Sequence, residues 1–532
     1  MAGNIWRTLL SLLSNNQNKF PHPGASPKGT VKLSTDLTTN ISNFKEALGN
    51  SMDVEIRVLF MGKTQVAMVY IDSIVDRTAL RENAIKALMV DSHTAGLLPG
   101  YGSKGLAHAA KGKVVSVCCV KESKDLHKLI DAVLSANIVV LFDGDDTGLI
   151  LKLPGYETRS VTEPQTESVI RGSREGFTES ISTNISMIRR RIKDHNLRME
   201  RLRLGRVTKT EICIAYIKGI VDPKTVEEVK KRLHRIELDG VLESGYIEEF
   251  IQDAPYSVFP TVGNAEKPDK VAAQLLEGRV AIITDGTPFV LTVPYLFIES
   301  LQSSEDYYSR FLSSSFFRIL RFTFLVISTN LPAMYVSISS FNPEIMPTSL
   351  LLILEASRKG VFLPPIGEVL LMGLIFEGLR EAGVRLPRNV GQAISIVGAL
   401  VIGQAAVSAG LISAPTVIVT ALTGIASFIS PSQSEAQLLI RIFYTLVAGF
   451  LGFFGLFMGN ILVIMHMASL RSFRVPYLSP LAPLWHGDLK DSLVRAPWWF
   501  MTNRPRLNGL QNIRRAGITK PPGPAGGEEE MG

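Results

Sequence analysis

Cysteine is nearly absent: Cys118, Cys119 and Cys213 are the only three in 532 residues. An odd number of thiols in apolar, strand-like runs argues against a disulfide framework and for buried free cysteines. Histidine is sparse too, with eight residues scattered without metal-ligand spacing. No phosphate loop occurs with Gly-Lys-Ser/Thr at its required spacing, which argues against an ATP-driven pump. Gly100-Tyr101-Gly102-Ser103-Lys104-Gly105 has the spacing of a dinucleotide fingerprint. It follows a helical pattern and Pro99 rather than a strand, so we expect a plain glycine-rich loop. No Ser/His/Asp or Cys/His grouping assembles from the sequence. The expectation is a chain without enzymatic activity, cofactor or metal.

Charge is missing from one long stretch. Asn389 to Ser434, 46 residues, contain no Asp, Glu, Lys or Arg, although a fifth of the chain is charged. At about 1.5 Å per helical residue the run is about 69 Å long, enough to cross a bilayer twice with a turn near Ser413-Ala414-Pro415. We read four spans: about Phe322 to Phe341 with a kink at Pro332, Gly391 to Leu411, Pro415 to Ile429, and one within Ile442 to Leu470. That last run holds 29 residues with only His466 titratable. Arg318 and Arg321 flank the first span, and Arg471 to Lys520 holds nine Lys/Arg against Asp488 and Asp491. Both flanks therefore read as cytoplasmic, which requires an even number of crossings.

Asn342 to Arg388 is apolar in pieces but carries ten charges. Pro347–Ser357 and Pro365–Phe376 read as re-entrant or bundle-buried segments, with six crossings as the competing count. Three carboxylates stand there as candidates for an ion path, because an ionisable group at membrane depth costs about 2.5–3.5 kcal/mol. Glu355 has the spacing of a helical ion pair with Arg358 and Lys359. Glu368 falls in the first helical turn after Pro364-Pro365, where a carboxylate favours the dipole. Glu377, with Arg380 and Glu381, marks a helix end. Small residues mark helix contacts: Gly449, Gly452, Gly455 and Gly459 on one face of the fourth span, and Ser395, Ala399 and Gly403 on the second.

The soluble half repeats itself. Tyr70-Ile71-Asp72-Ser73-Ile74-Val75-Asp76 and Tyr216-Ile217-Lys218-Gly219-Ile220-Val221-Asp222 are identical at five of seven positions, 146 residues apart. Val139-Val140-Leu141-Phe142-Asp143-Gly144 and Val280-Ala281-Ile282-Ile283-Thr284-Asp285-Gly286 each read as strand and Asp-Gly turn, 142 apart. The expected fold is an α/β cytosolic region of two related lobes plus an all-α polytopic transmembrane domain. Its parts are a disordered 1–44, a first lobe 45–160, a linking basic amphipathic helix 161–204, a second lobe 205–315, transmembrane helices 316–475 and a basic cytoplasmic tail 476–532. In the linking helix Phe177, Ile181, Ile185, Ile188 and Ile192 share a face. Arg189 to Arg206 carries eight Lys/Arg, expected to be a solvated face rather than a nucleic-acid or headgroup contact.

Several longer motifs resemble a known family. Arg171-Gly172-Ser173-Arg174-Glu175-Gly176-Phe177-Thr178-Glu179 is similar to a motif of the GerA family of bacterial spore germination proteins. So are Lys267-Pro268-Asp269-Lys270-Val271-Ala272-Ala273-Gln274-Leu275-Leu276-Glu277-Gly278-Arg279, Asp285-Gly286-Thr287-Pro288-Phe289 and Asp306-Tyr307-Tyr308-Ser309-Arg310-Phe311. Leu379 to Pro387 and Val390-Gly391-Gln392-Ala393 continue it, over roughly Glu163 to Pro505. The resemblance implies an A-type subunit of a nutrient germinant receptor in the spore inner membrane, multi-pass, with both termini cytoplasmic. Its implied partners are a transporter-like B-type subunit and a C-type lipoprotein, alongside membrane lipid and further copies of itself, and no nucleic acid. It also implies a share in an oligomeric ligand-gated cation channel. Gly373 stands where relatives often carry an acidic residue, so a role for that acid is not carried over. A paralogous branch associated with the dipicolinate channel shares the motifs, and a non-conducting scaffold stays open. A secondary transporter would want inverted repeats in the membrane half, whereas the repeat here lies in the soluble half.

Overall fold

The computed structural model describes residues 32–61, 64–85, 120–155, 164, 167, 169–385, 401–485, 487–505 and 512–515. Cys118, Cys119, the glycine-rich loop at 100–105, Ser395 and Ala399 lie outside them.

Asp36 starts the first lobe by accepting from the backbone of Thr38 and Thr39, capping α1 (Leu37–Leu48). Then come β1 (Val54–Met61), β2 (Thr64–Ile71), a short helical stretch over 77–85, β3 (Val120–Ser123), α2 (Leu126–Leu134), β4 (Asn137–Phe142) and β5 (Gly148–Lys152). The strands form an antiparallel sheet in the order β1-β2-β4-β5-β3. Its two faces separate by strand alternation. Ala67, Val69, Val139 and Leu141 pack under α1 and α2, while Met68, Tyr70, Val140 and Phe142 face Leu80 and Ala84. Residues 37–44 are expected to be disordered, yet Leu37 and Phe44 are core residues and Asn40 is buried with them; Thr38, Thr39 and Ser42 occupy the helix's outer face.

The second lobe repeats this order. It comprises α3 (Ile181–Arg191), β6 (Leu197–Leu204), β7 (Thr210–Ile217), α4 (Pro223–Leu233), α5 (Ser244–Ile251), β8 (Gly263–Ala265), α6 (Pro268–Leu276), β9 (Val280–Thr284) and β10 (Val290–Val293). Its sheet runs β6-β7-β9-β10-β8. The likeness reaches single hydrogen bonds. Asn40 Oδ1 accepts from Ser34 N, and Asn184 Oδ1 from Thr178 N. Asp143 Oδ1 accepts from Leu37 N, and Asp285 Oδ1 from Ile181 N. The helix expected to link the lobes is a correction: it stops at Arg191, and the basic run continues as strand β6. Arg201 and Arg203 there are exposed beside buried Leu204 and Met199, an alternation that the density of charge disguises. Cys213 is buried in β7, and burial pushes its thiol up.

Beyond the lobes stand α7 (Phe311–Ser340), α8 (Thr348–Arg358), α9 (Pro365–Arg385), a helical stretch at 401–408, α10 (Ala414–Ser427) and α11 (Ser434–Ser469). The helical runs Phe311–Ser340 and Pro431–Ser469 are long and apolar enough to cross a membrane. The second is not straight. Gly452 has φ 59° and ψ −143°, and a Cβ at Gly459 would lie 3.3 Å from Tyr444, fifteen residues earlier. A continuous helix would hold those positions about 22 Å apart. The chain reverses at Gly452, and the fourth expected span is a helical hairpin with arms 434–451 and 453–469.

Both ends of the helical region return to the second lobe. Arg318, 0% exposed, pairs with Asp306 at 3.0 Å and with Asp491 at 2.8 Å, so the base of α7 is clamped by a segment expected to be tail. Burial alone would raise the Asp306 carboxyl, but the hydrogen bond from Arg321 and the charge of Arg318 hold it low. Phe473 enters the second lobe's core under the Arg232 guanidinium. Ser472 Oγ donates to Thr261 O at 2.6 Å. Residues 471–485 and 487–505 are therefore packed structure, because Arg495 and Trp498 find partners at Tyr307 and Ser309.

Candidate functional site

The arrangement around Glu368 grows from two helix starts. Pro365 opens α9 and sets Glu368 in its first turn, as the sequence predicts, but the carboxylate serves a different helix. Ser413 is the N-cap of α10, and its own side chain makes no cap bond. Glu368 Oε2 fills that place: it accepts from Ser413 N at 2.8 Å, Ser413 Oγ at 2.6 Å and Thr416 Oγ1 at 2.7 Å. Tyr335 of α7 closes the cluster, its hydroxyl 3.2 Å from Thr416 Oγ1 and 3.3 Å from Ser413 Oγ. A negative charge at a helix N-terminus is favoured by the orphan N–H groups and the dipole.

The other carboxylate oxygen is different. Glu368 is 0% exposed, and Oε1 makes no hydrogen bond among the described residues; neither does Arg358 Nε, 3.6 Å away. The pair attracts by charge without closing into a hydrogen bond, so half of a fully buried carboxylate lacks a donor. A buried charge so compensated is a weak stabiliser, because desolvation offsets most of the Coulomb gain.

Glu377 and Glu355 do not join this cluster. Glu377 accepts from Arg441 of the hairpin's first arm at 2.6 Å and pairs with Arg380 at 2.8 Å. Glu355 is exposed on α8, and Arg358 leans to Glu368 instead of to it. The glycines also divide. A Cβ at Gly449 would collide with Ile366 of α9, and one at Gly455 would lie 2.5 Å from Val447 O across the hairpin. Gly452 is the tip, against Phe341, and Gly459 meets Tyr444. They are thus not one face of one helix, since the reversal puts them on two arms. Gly403 faces Val417 of α10.

Sequence reasoning missed a cavity of about 870 Å³ between the second lobe and the starts of the hairpin, lined by Glu248, Glu266, Lys270, Tyr295, Arg321 and Glu435. Burial, then the charges of Glu243 and Glu435, push the Glu248 carboxyl up to about 7. No spacing signal links residues so far apart. Arg358, Ser413 and Thr416 were equally unforeseen, although Ser413 before Ala414-Pro415 reads as a helix start once a cap is sought.

Residues 42–507 match the family described as Bacillus/Clostridium GerA spore germination protein. Spore germination protein KA of Bacillus subtilis (strain 168) is 45% identical over 503 residues, covering 93% of this chain and 91% of that one. Spore germination protein B1 of the same organism is 36% identical over 494 residues, 91% of this chain and 100% of the relative. The crystal structure of the N-terminal domain of the A subunit of the Bacillus megaterium spore germinant receptor GerK3 is 36% identical, covering 51% of this chain and 99% of that one, with a TM-score of 0.41. A match over most of the chain, with relatives of full length, settles the membership: this chain belongs to the GerA family of spore germination proteins.

Proposed function

We propose that the chain is the A-type subunit of a nutrient germinant receptor, a non-enzymatic component of an oligomeric, ligand-gated path for monovalent cations in the spore inner membrane. In this reading a B-type subunit senses the nutrient, a C-type lipoprotein completes the receptor, and the chain crosses the membrane six times with both flanks cytoplasmic. The helix directions support the count. Along α9, Glu368 meets Ser413 and Phe376 meets Gly424, so α9 and α10 run parallel. The hairpin's two arms bring the chain back to the second lobe, as an even number of crossings requires.

Glu368 is the observation that carries the cation path. A carboxylate held by one helix start and one loosely placed arginine, deep in a helical bundle, offers a site whose internal cationic partner can be displaced. The test is reconstitution with the B and C subunits in potassium-loaded vesicles, with nutrient added outside or inside. Nutrient-dependent release that Glu368→Gln slows or makes less selective supports the reading. Unchanged flux in Glu355→Gln, Glu368→Gln and Glu377→Gln alike would remove the carboxylates from the path.

A further inference from the structure

The contact between the two lobes is of a kind that can repeat. Within the chain, the segment before β1 lies on the free edge of β6: Met52 N donates to Met199 O at 2.8 Å. Arg198 Nη1 donates to Ala47 O at 3.2 Å, and Asp53 pairs with Arg189 at 2.8 Å with both side chains under 5% exposed. This contact is heterologous, with different surfaces meeting, and such contacts leave one surface of each kind over. The duplication identifies the leftovers. The strands β1 and β6 correspond residue for residue 143 apart, and α1 and α3 correspond 144 apart. Met199 thus answers to Ile56, Met52 to His195, Asp53 to Asn196 and Arg189 to Lys45.

Of those counterparts Lys45 and His195 are exposed, and Ile56 and Asn196 are half-buried. The outer edge of β1 bears no strand among the described residues; Glu55, Arg57, Val58 and Phe60 of β1 and Lys45 and Glu46 of α1 are exposed, as are Lys193 and His195 on the second lobe. An eight-residue edge with exposed Val58 and Phe60 is the surface that folded proteins ordinarily cover. Opposite charges are available across the two leftovers, Glu46 and Glu55 on one and Lys193 on the other, with Lys45, Arg57 and Asp194 of the contrary sign among them.

We infer that the 193–196 segment of one copy docks on the β1 edge of the next copy's first lobe, repeating between chains the joint that already exists within each. The joint between copies lacks the buried ion pair, since Asn196 and Lys45 replace Asp53 and Arg189, so it is the weaker of the two. Each copy offers one surface of each kind, and the assembly closes or extends through the lobes. The inference deepens the reading of an oligomeric membrane subunit by naming where its copies meet.

Full-length protein in its native membrane, with Cys118 and Cys119 replaced by serine and Cys213, whose sulfur lies 3.6 Å from that of Met199, replaced by alanine, tests this by oxidative crosslinking. The Ile56→Cys, His195→Cys variant is expected to give bands at multiples of the monomer mass. Met52→Cys, Met199→Cys should close within the chain and give none. Glu55→Lys should slow the interchain bond about threefold, the size of a surface ion pair, with Lys193→Glu restoring it. Intrachain closure without interchain bands overturns the inference, and so does failure of the intrachain bond, because the joint being copied would then not exist. Crosslinking reports contact and not conduction, so a loss of flux in these variants speaks to the proposed function and leaves the interface standing.

Discussion

At the scale of single residues, compensation explains more than charge itself. Replacing Glu368 by Gln removes a charged acceptor from three donors and leaves Arg358 opposite a neutral group. Hydrogen bonds to charged groups contribute about 1.5–3 kcal/mol each. We expect the variant to unfold at a lower temperature in detergent, by an amount larger than that for Glu355→Gln, whose side chain is exposed. Glu248 gives the opposite sign of behaviour with pH. Its folded carboxyl is held up to about 7 by burial and then by Glu243 and Glu435, so its contribution is complete below the ordinary carboxylate range and fades as pH rises through 7. Thermal unfolding should therefore be easier at pH 8 than at pH 6, and Glu248→Gln should shrink that difference. That Glu368 stands in the first turn of a helix was legible in the sequence, since it follows Pro364-Pro365. Its partners were not: Ser413 and Thr416 lie 45 and 48 positions away, in a run whose lack of charge hid its capping groups.

Among the elements, the hairpin shows where periodicity runs out. Glycines at 449, 452, 455 and 459 fit one stripe on a straight helix and equally fit two arms that fold on each other, because spacing carries no information about φ. The positive φ at Gly452 decides between them. An alanine there must take a conformation that costs about 1–3 kcal/mol and meets Phe341 at 3.0 Å. Gly452→Ala should open the hairpin and lower the unfolding temperature, whereas Gly373→Ala, with open space around it, should cost little. A circular-dichroism melt of the two variants distinguishes these outcomes. The basic run into β6 teaches a related lesson: eight cations in eighteen residues masked a strand whose burial alternates.

For the molecule as a whole, the duplication was the most legible feature, because five identical positions in seven survive at the strand ends where the core fixes them. The joint between the lobes was not, since Asp53 and Arg189 belong to different repeats and their counterparts, Asn196 and Lys45, do not form a second ion pair that would mark it. Arg189→Met strands a buried Asp53 and should cost about 3–5 kcal/mol. Adding Asp53→Asn should recover most of it, measured as restored resistance to limited proteolysis between the lobes.

Phe473 has a consequence for how the protein is made. It fills the core of a lobe whose other core residues were all translated before α7. On the ribosome that lobe stays incomplete until every helix of the bundle has emerged, and a chain halted before residue 471 would display an unfilled hydrophobic seat. Quality-control proteases could thus distinguish a finished subunit from an interrupted one at this lobe, without inspecting the bundle.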